Sequence, residues 1–211
     1  DENSPYYGKL LLNEAGLPQS TGVSEKIGDQ QADCMLGWNN SFRYKNFALS
    51  FQIDGRLGGD IYSYTNYALQ IAGRAECTAP GGMREEFVVD GVIRQQDGSY
   101  APSTIKVSQQ DYWQAIGTGN TGIGEANIYD ATNIRLRNIA LNYSFPSSML
   151  KKTIFQQLKL GFSINNVWMI YSDMNGIDPE AVFITNTNAT GFENCASPTS
   201  RSYLFNVTLG F

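Results

Sequence analysis

The stretch Leu36-Gly37-Trp38-Asn39-Asn40-Ser41-Phe42-Arg43-Tyr44-Lys45-Asn46-Phe47-Ala48-Leu49-Ser50-Phe51-Gln52-Ile53-Asp54 alternates in character over most of its length. Its first half sets Leu36, Trp38, Phe42 and Tyr44 against Gly37, Asn39, Ser41 and Arg43, with Asn40 the one polar residue among the apolar positions. Beyond Lys45-Asn46 the pattern resumes as Phe47, Leu49, Phe51 and Ile53 against Ala48, Ser50, Gln52 and Asp54, with Arg56 on the polar side. Successive side chains of a strand point to opposite faces, so this period of two describes two strands, each with an apolar and a polar face. The link between them is short enough for a tight hairpin, which makes the pair antiparallel.

Three more segments carry the same period. Ile139, Leu141, Tyr143 and Phe145 oppose Asn138, Ala140, Asn142 and Ser144, and Pro146, which has no N–H for a ladder, ends the run. Leu158, Leu160, Phe162 and Ile164 oppose Lys159, Gly161, Ser163 and Asn165. Last, Tyr203, Phe205, Val207, Leu209 and Phe211 oppose Ser202, Asn206, Thr208 and Gly210, with Leu204 as an apolar exception. Strands are therefore predicted near 35–45, 47–57, 133–145, 157–168 and 201–211, and the fold class is all-β. Short and long connections alternate. About 75 residues separate the second strand from the third and more than about 30 the fourth from the fifth, where an ordinary loop has about 4 to 6. Short helices are predicted at Ile61–Ala72 and Ser108–Ile116, on either side of the Gly/Pro-rich Ala79–Gly82, and one helical turn around Met149–Phe155.

Composition removes several functions. The 211 residues contain no histidine, so imidazole general bases and histidine-ligated metals are excluded. A net charge of −5, from 15 Lys+Arg against 20 Asp+Glu with no basic run, argues against nucleic acid as a partner. The longest apolar run, Val167 to Tyr171, is far below the roughly 18 residues of a membrane-spanning helix. The opening Asp1-Glu2-Asn3 has the look of an internal piece or a processed product.

Strands with one apolar face suit two solvents. In a secreted β-sandwich, serving as a glycan-binding or adhesion module, that face joins a core; in a transmembrane barrel it meets lipid while the polar face lines a wet lumen. Strands of about ten residues, alternating short and long connections, and aromatics at strand ends (Tyr44, Phe47, Tyr143, Phe145, Trp168, Tyr171) favour the barrel. Five strands cannot close one, so a fragment is expected, with extracellular loops 1–33, 58–132 and 169–200 and short turns on the periplasmic side. Arg43, Asp54, Arg56 and Lys159 keep to the polar parity. Arg135 and Arg137 share parity with Ile139 and Leu141, which places them at the rim or calls for a bulge near Asn138.

The terminal Tyr203, Phe205, Val207, Leu209 and Phe211 resemble the C-terminal signal that delivers bacterial outer membrane proteins to the barrel assembly machinery. A longer set of motifs is more specific: Phe42-Arg43-Tyr44-Lys45-Asn46-Phe47, Asp54-Gly55-Arg56-Leu57-Gly58-Gly59, Tyr129-Asp130-Ala131-Thr132-Asn133-Ile134-Arg135-Leu136-Arg137-Asn138, Gly176-Ile177-Asp178-Pro179-Glu180 and Pro198-Thr199-Ser200-Arg201-Ser202-Tyr203. In this order, from about Ile27 to Phe211, the chain resembles the C-terminal end of SusC/RagA-family TonB-linked outer membrane transporters. The resemblance implies a barrel of about 22 strands with an N-terminal plug that this sequence does not contain. It further implies the TonB complex and a SusD-like surface lipoprotein as partners, import of oligosaccharides or peptides, no cofactor and no bond chemistry. Arg43, Gln52, Asp54 and Arg56 are then the candidate lumen residues. Where the family leads one to expect a proline before the first strand, this sequence has Gln31-Ala32-Asp33-Cys34.

Other constellations are weaker. Gly117-Thr118-Gly119-Asn120-Thr121-Gly122 matches a dinucleotide fingerprint but follows a helical pattern without a βαβ unit. Asp173, Asn175, Asp178 and Glu180 offer oxygen ligands at calcium-like spacing, yet not in EF-hand order, and the same residues fit a turn. Adjacent Glu85 and Glu86 read as a solvated pair rather than a hydrolytic one. Among Cys34, Cys77 and Cys195, all on the expected extracellular side, a Cys77–Cys195 disulfide is the candidate bond, with free thiols as the alternative. The loop aromatics Tyr62, Tyr64, Tyr67, Tyr100, Tyr112 and Trp113 are expected mostly to pack the loops together, with stacking on sugar rings the other use of such side chains.

Overall fold

The computed structural model describes residues 4–20, 22–117, 122–174, 176–182, 184 and 187–211. In chain order the strands are β1 (Leu10–Leu12), β2 (Cys34–Tyr44), β3 (Phe47–Leu57), β4 (Asp60–Ser63), β5 (Phe87–Val88), β6 (Gly91–Arg94), β7 (Tyr100–Pro102), β8 (Lys106–Val107), β9 (Ile128–Asp130), β10 (Asn133–Ser144), β11 (Gln157–Ser172), β12 (Phe192–Glu193) and β13 (Ser202–Gly210). Three short helices join them: α1 (Tyr64–Ile71), α2 (Gln109–Ile116) and α3 (Ser147–Leu150). The chain divides into two units, one of Asp1–Gly28, Tyr62–Ile128 and Phe192–Cys195, the other of Asp29–Ile61, Tyr129–Gly191 and Ala196–Phe211.

The second unit holds a five-stranded sheet in the order β13-β11-β10-β3-β2, with antiparallel neighbours throughout. Its register lines up like with like. Phe42, Leu49, Leu141, Phe162 and Phe205 form one row across all five strands, and Tyr44, Phe47, Tyr143, Leu160 and Val207 form another on the same face. Asn39, Gln52, Asn138, Asn165 and Ser202 form a polar row on the opposite face. Cross-strand pairing of this kind fixes register, because a slip of one residue would turn every apolar side chain to the polar face. The apolar face is open: Trp38 is 58% exposed and Phe205 68%. A sandwich would bury that face beneath a second sheet, and among the described residues Trp38 and Phe205 stay open. Ring contacts along the face, Trp38 with Phe51 at 5.7 Å and Phe47 with Tyr143 at 4.6 Å, are lateral contacts between neighbouring strands. The sheet has β13 and β2 at its edges, and among the described residues it does not close into a barrel.

The parity conflict at Arg135 and Arg137 is resolved by a bulge. Leu136 pairs with Ile53 and Asn138 with Gln52, so Arg137 is an extra residue opposite none of β3. The insertion flips the parity, and Arg135 falls opposite Asp54 on the polar side. On β11, Leu136 pairs with Trp168 and Asn138 with Asn165, and the irregularity there includes Asn166 at φ 50. Where β3 ends, Gly58 and Gly59 take φ of 72 and 84, and a side chain at Gly59 would meet Arg56 Nη2 at 2.6 Å. Both positions require glycine.

In the first unit, β1 and β6 pair in parallel and β6 and β7 antiparallel over a small core of Leu12, Val89 and Val107. The helices differ slightly from expectation. Ile61–Ser63 belongs to a strand, and α1 starts at Tyr64 because the Ser63 hydroxyl caps it by accepting from the Asn66 N–H. Ser108 caps α2 by accepting from Asp111 N–H. The turn after β10 starts earlier than the expected Met149, since Pro146 presets the backbone at its N-cap. Glu193 on β12 is 1% exposed and completes the start of α1: Ser63 Oγ donates to it at 2.8 Å, Thr65 Oγ1 at 2.5 Å and Thr65 N–H at 3.2 Å. Glu193→Ala strands one buried and two half-buried donors and is expected to weaken this corner by about 1–3 kcal/mol. Hydrogen exchange of the α1 amides in the folded protein checks this, and unchanged protection would refute the capping role.

Candidate functional site

The polar face carries a charged cluster where β3, β10 and β11 meet the turn Gly176-Ile177-Asp178-Pro179-Glu180. Arg137, pushed out of the ladder by the bulge, donates from Nε to Asp54 Oδ2 at 2.8 Å. Its two terminal nitrogens grip Glu180 in a fork, at 2.8 and 2.6 Å. Arg135, 5% exposed, donates to Asp178 and at 3.1 Å to Thr199 Oγ1, and lies 3.5 Å from Glu180. Asp178 also accepts from the Thr199 N–H at 2.9 Å, the Thr199 hydroxyl at 2.6 Å and the Glu180 N–H at 3.0 Å. A buried ion pair is stable only when its remaining donors and acceptors are met, and these bonds meet them. Burial pushes the Asp178 carboxyl up, but the bonds from Arg135 and Thr199 outweigh it and hold the group well below the usual carboxylate range.

This arrangement replaces the calcium reading. Asp178 and Glu180 face guanidinium groups, and Asp173 accepts from the Tyr171 hydroxyl at 2.6 Å. Asn175 lies outside the described residues, as do positions 118–121 of the dinucleotide-like motif. Among the described residues no group of three or more His, Cys, Asp or Glu is placed to hold a metal. The sequence does contain a signal for the cluster: Arg-x-Arg at 135–137 and Asp-x-Glu at 178–180 have matching spacing and opposite charge.

The four candidate lumen residues do not form one site. Gln52 Nε2 donates to Asp54 Oδ1 at 2.8 Å, which joins both to the cluster. Arg56 turns to backbone carbonyls of Gln30 and Gly58, and Arg43 lies opposite Ala48 beside the hairpin, toward the other end of the sheet. The expected Cys77–Cys195 bond is not formed. All three cysteines are free, and each partner is held by its own surroundings: Cys77 in a short turn at Glu76–Thr78, Cys195 with its N–H on Thr65 Oγ1 at 2.9 Å. Burial pushes the Cys77 thiol up. Maleimide labelling of the folded protein without reductant is expected to modify all three, Cys77 slowest, since the thiolate is the reactive form; protection of Cys77 and Cys195 together would restore the bond.

No protein-family model matches the chain. It is 27% identical over 210 residues to TonB-dependent receptor P3 of Formosa agariphila, covering 97% of this chain and 19% of that protein. It is 29% identical over 187 residues to TonB-dependent receptor P39 of the same organism, covering 88% of this chain and 17% of that one. Its fold matches a chain of the RagAB peptide importer in the closed-closed state with a TM-score of 0.60 over 92% of this chain and 19% of that one, at 14% identity, and in the open-open state with a TM-score of 0.56 over 84% and 17%, at 15% identity. The chain is similar to a segment of the SusC/RagA-like TonB-dependent receptors. The chain spans less than a fifth of the length of these relatives. Such receptors are outer membrane β-barrel proteins, and the open apolar face of the sheet is compatible with a barrel wall. The relatives are receptors and an importer, which is compatible with a segment that catalyses no reaction.

Proposed function

We propose that this segment supplies wall strands and extracellular loops to a closed barrel of about 22 strands that imports oligosaccharides or peptides across the outer membrane. The observation that carries the reading is a sheet whose rows are apolar on one open face and polar on the other, with both edge strands unpaired. In lipid, every backbone polar group must find a partner, so β2 and β13 pair with further strands of the same receptor. The polar face then lines the lumen, with Arg43, Gln52, Asp54 and Arg56 along the transport path. The charged cluster pins the Gly176–Glu180 turn over the inside of the wall. The loops at 1–33, 58–132 and 169–200 face outward, toward a SusD-like surface lipoprotein, while the TonB complex engages the receptor through its plug. Tyr203, Phe205, Val207, Leu209 and Phe211 serve as the signal read by the barrel assembly machinery.

The test is to measure the mass of the denatured source polypeptide and its partition between detergent-solubilised outer membrane and soluble fractions. A chain several times heavier than 23.3 kDa in the membrane fraction is expected. A soluble species of 23.3 kDa would end the barrel reading.

A further inference from the structure

The end of the sheet that carries the short turns differs in charge from the rest of the chain. No Asp or Glu occurs in 34–53, 131–172 or 196–211, so the net charge of −5 conceals a cationic end. Lys45 sits in the hairpin between β2 and β3, and Lys151 and Lys152 in the turn between β10 and β11. The two turns are neighbours, since the Ser144 N–H at the end of β10 donates to the Asn46 carbonyl at 2.9 Å. All three lysines are exposed, and among the described residues none of them forms an ion pair. Lys45 Nζ lies 5.3 Å from the centre of the Tyr44 ring.

Lysines alone would suit any anion, and the apolar side chains around them narrow the choice. The second turn reads Met149-Leu150-Lys151-Lys152-Thr153-Ile154-Phe155, with Met149 60% and Ile154 75% exposed on either side of the lysine pair. Phe155 packs on Phe211 at 5.3 Å, and Phe211 shares the parity of Val207 and Leu209, so the turn is tied to the apolar face of the sheet. Next to the turns lies the row of Tyr44, Phe47 and Tyr143, with Phe145 edge-on to Tyr143 at 4.9 Å. Aromatic rings gather at the depth of lipid headgroups, and lysine stems run along apolar surface while their ammonium groups reach the charged layer. A phosphate or nucleic acid in solution gives no reason for open Met and Ile side chains beside the charges.

We propose that this end of the sheet binds anionic phospholipid headgroups, with Lys45, Lys151 and Lys152 on the phosphates and Met149, Ile154 and Phe155 at the acyl boundary. The inference rests on the wall reading, under which the short turns meet the periplasmic leaflet, and adds a lipid preference that a wall does not require. A zwitterionic headgroup carries its own ammonium beside the phosphate, whereas an anionic one leaves that charge to the lysines; each lysine near such a surface favours it about fivefold.

The folded protein is reconstituted into vesicles of equal parts phosphatidylcholine and phosphatidylglycerol with the same acyl chains, then extracted in mild detergent, and the phospholipids it retains are counted by mass spectrometry. The wild type is compared with Lys45→Gln, Lys151→Gln and Lys152→Gln combined, with Lys45→Arg, Lys151→Arg and Lys152→Arg combined, and with Lys106→Gln, an exposed lysine of the first unit. Phosphatidylglycerol is expected to exceed phosphatidylcholine by roughly threefold or more in the wild type, the arginine variant and Lys106→Gln, and to fall to near parity in the glutamine variant. The proposal is overturned by equal retention of the two lipids by the wild type, by an excess that the glutamine variant keeps, or by one that the arginine variant loses as well. Protein that never enters the vesicles overturns the wall reading and this one together, whereas protein that enters without a lipid preference overturns this one alone.

Discussion

Leu141→Arg is expected to destabilise the folded receptor in a phospholipid bilayer by roughly 2–4 kcal/mol, whereas Asn142→Arg, one residue along, stays within about 0.5 kcal/mol. Leu141 sits on the central strand, between Leu49 and Phe162 in the row that crosses all five strands. Lipid cannot solvate a guanidinium at that depth. Asn142 belongs to the polar row of Arg43, Ala48, Gly161 and Asn206, where a wet lumen accepts the charge. Equilibrium unfolding in lipid vesicles measures both. A packed core would also reject arginine, so Leu141→Trp completes the test: lipid accommodates the larger ring, while a close-packed core loses about 1–3 kcal/mol to overpacking. Equal penalties for Leu141→Arg and Asn142→Arg, or a large one for Leu141→Trp, would remove the lipid-facing assignment.

Asp178→Asn is expected to release the Gly176–Glu180 turn from the sheet. The substitution leaves the buried Arg135 guanidinium facing an amide, and breaking such a pair costs about 3–5 kcal/mol; Glu180, 3.5 Å from Arg135, keeps the loss toward the lower end. The effect is local, so protease cleavage within 173–182 of the folded receptor reports it better than global unfolding. Replacing both partners, Arg135→Met with Asp178→Leu, is expected to recover most of the loss, because no uncompensated charge then remains. Cleavage as slow as in the wild type would show that the turn is held by something else.

The same pair gives a pH dependence of definite sign. Asp178 has a folded-state pKa below its ordinary value of 3.8. The unfolded chain therefore binds the proton first, and the contribution to stability is complete above about pH 5 and lost as pH falls through 3.8 and below. Protection of the turn against a protease active in acid is expected to fall over that window, and Asp178→Asn is expected to abolish the dependence.

The five long strands were legible because their signal is local: alternation over ten residues needs no knowledge of the rest of the chain. Their register was partly legible too, since only one alignment of neighbouring strands puts Phe42, Leu49, Leu141, Phe162 and Phe205 in one row. The parity break at Arg135 and Arg137 was visible as a conflict, but strict alternation cannot say whether a rim or a bulge resolves it. The long connections carried little period, so the short pairings of β1, β6 and β7 and of β5 and β8 were not foreseen.

The amino-acid sequence by itself determined all-β strands with an apolar and a polar face, the absence of imidazole chemistry, and the resemblance to SusC/RagA-type receptors. Only the tertiary structure decided that Arg137 is the bulged residue, that Asp178 and Glu180 bind arginines rather than calcium, that Cys77 and Cys195 stay unbonded, and that Phe155 packs on Phe211. Those facts depend on partners far apart in the chain: Arg135 and Asp178 are 43 positions apart, and Ser63 and Glu193 are 130 apart. Strand periodicity is written into adjacent residues, whereas a side chain's partner depends on how the loops close, and no short-range pattern encodes that.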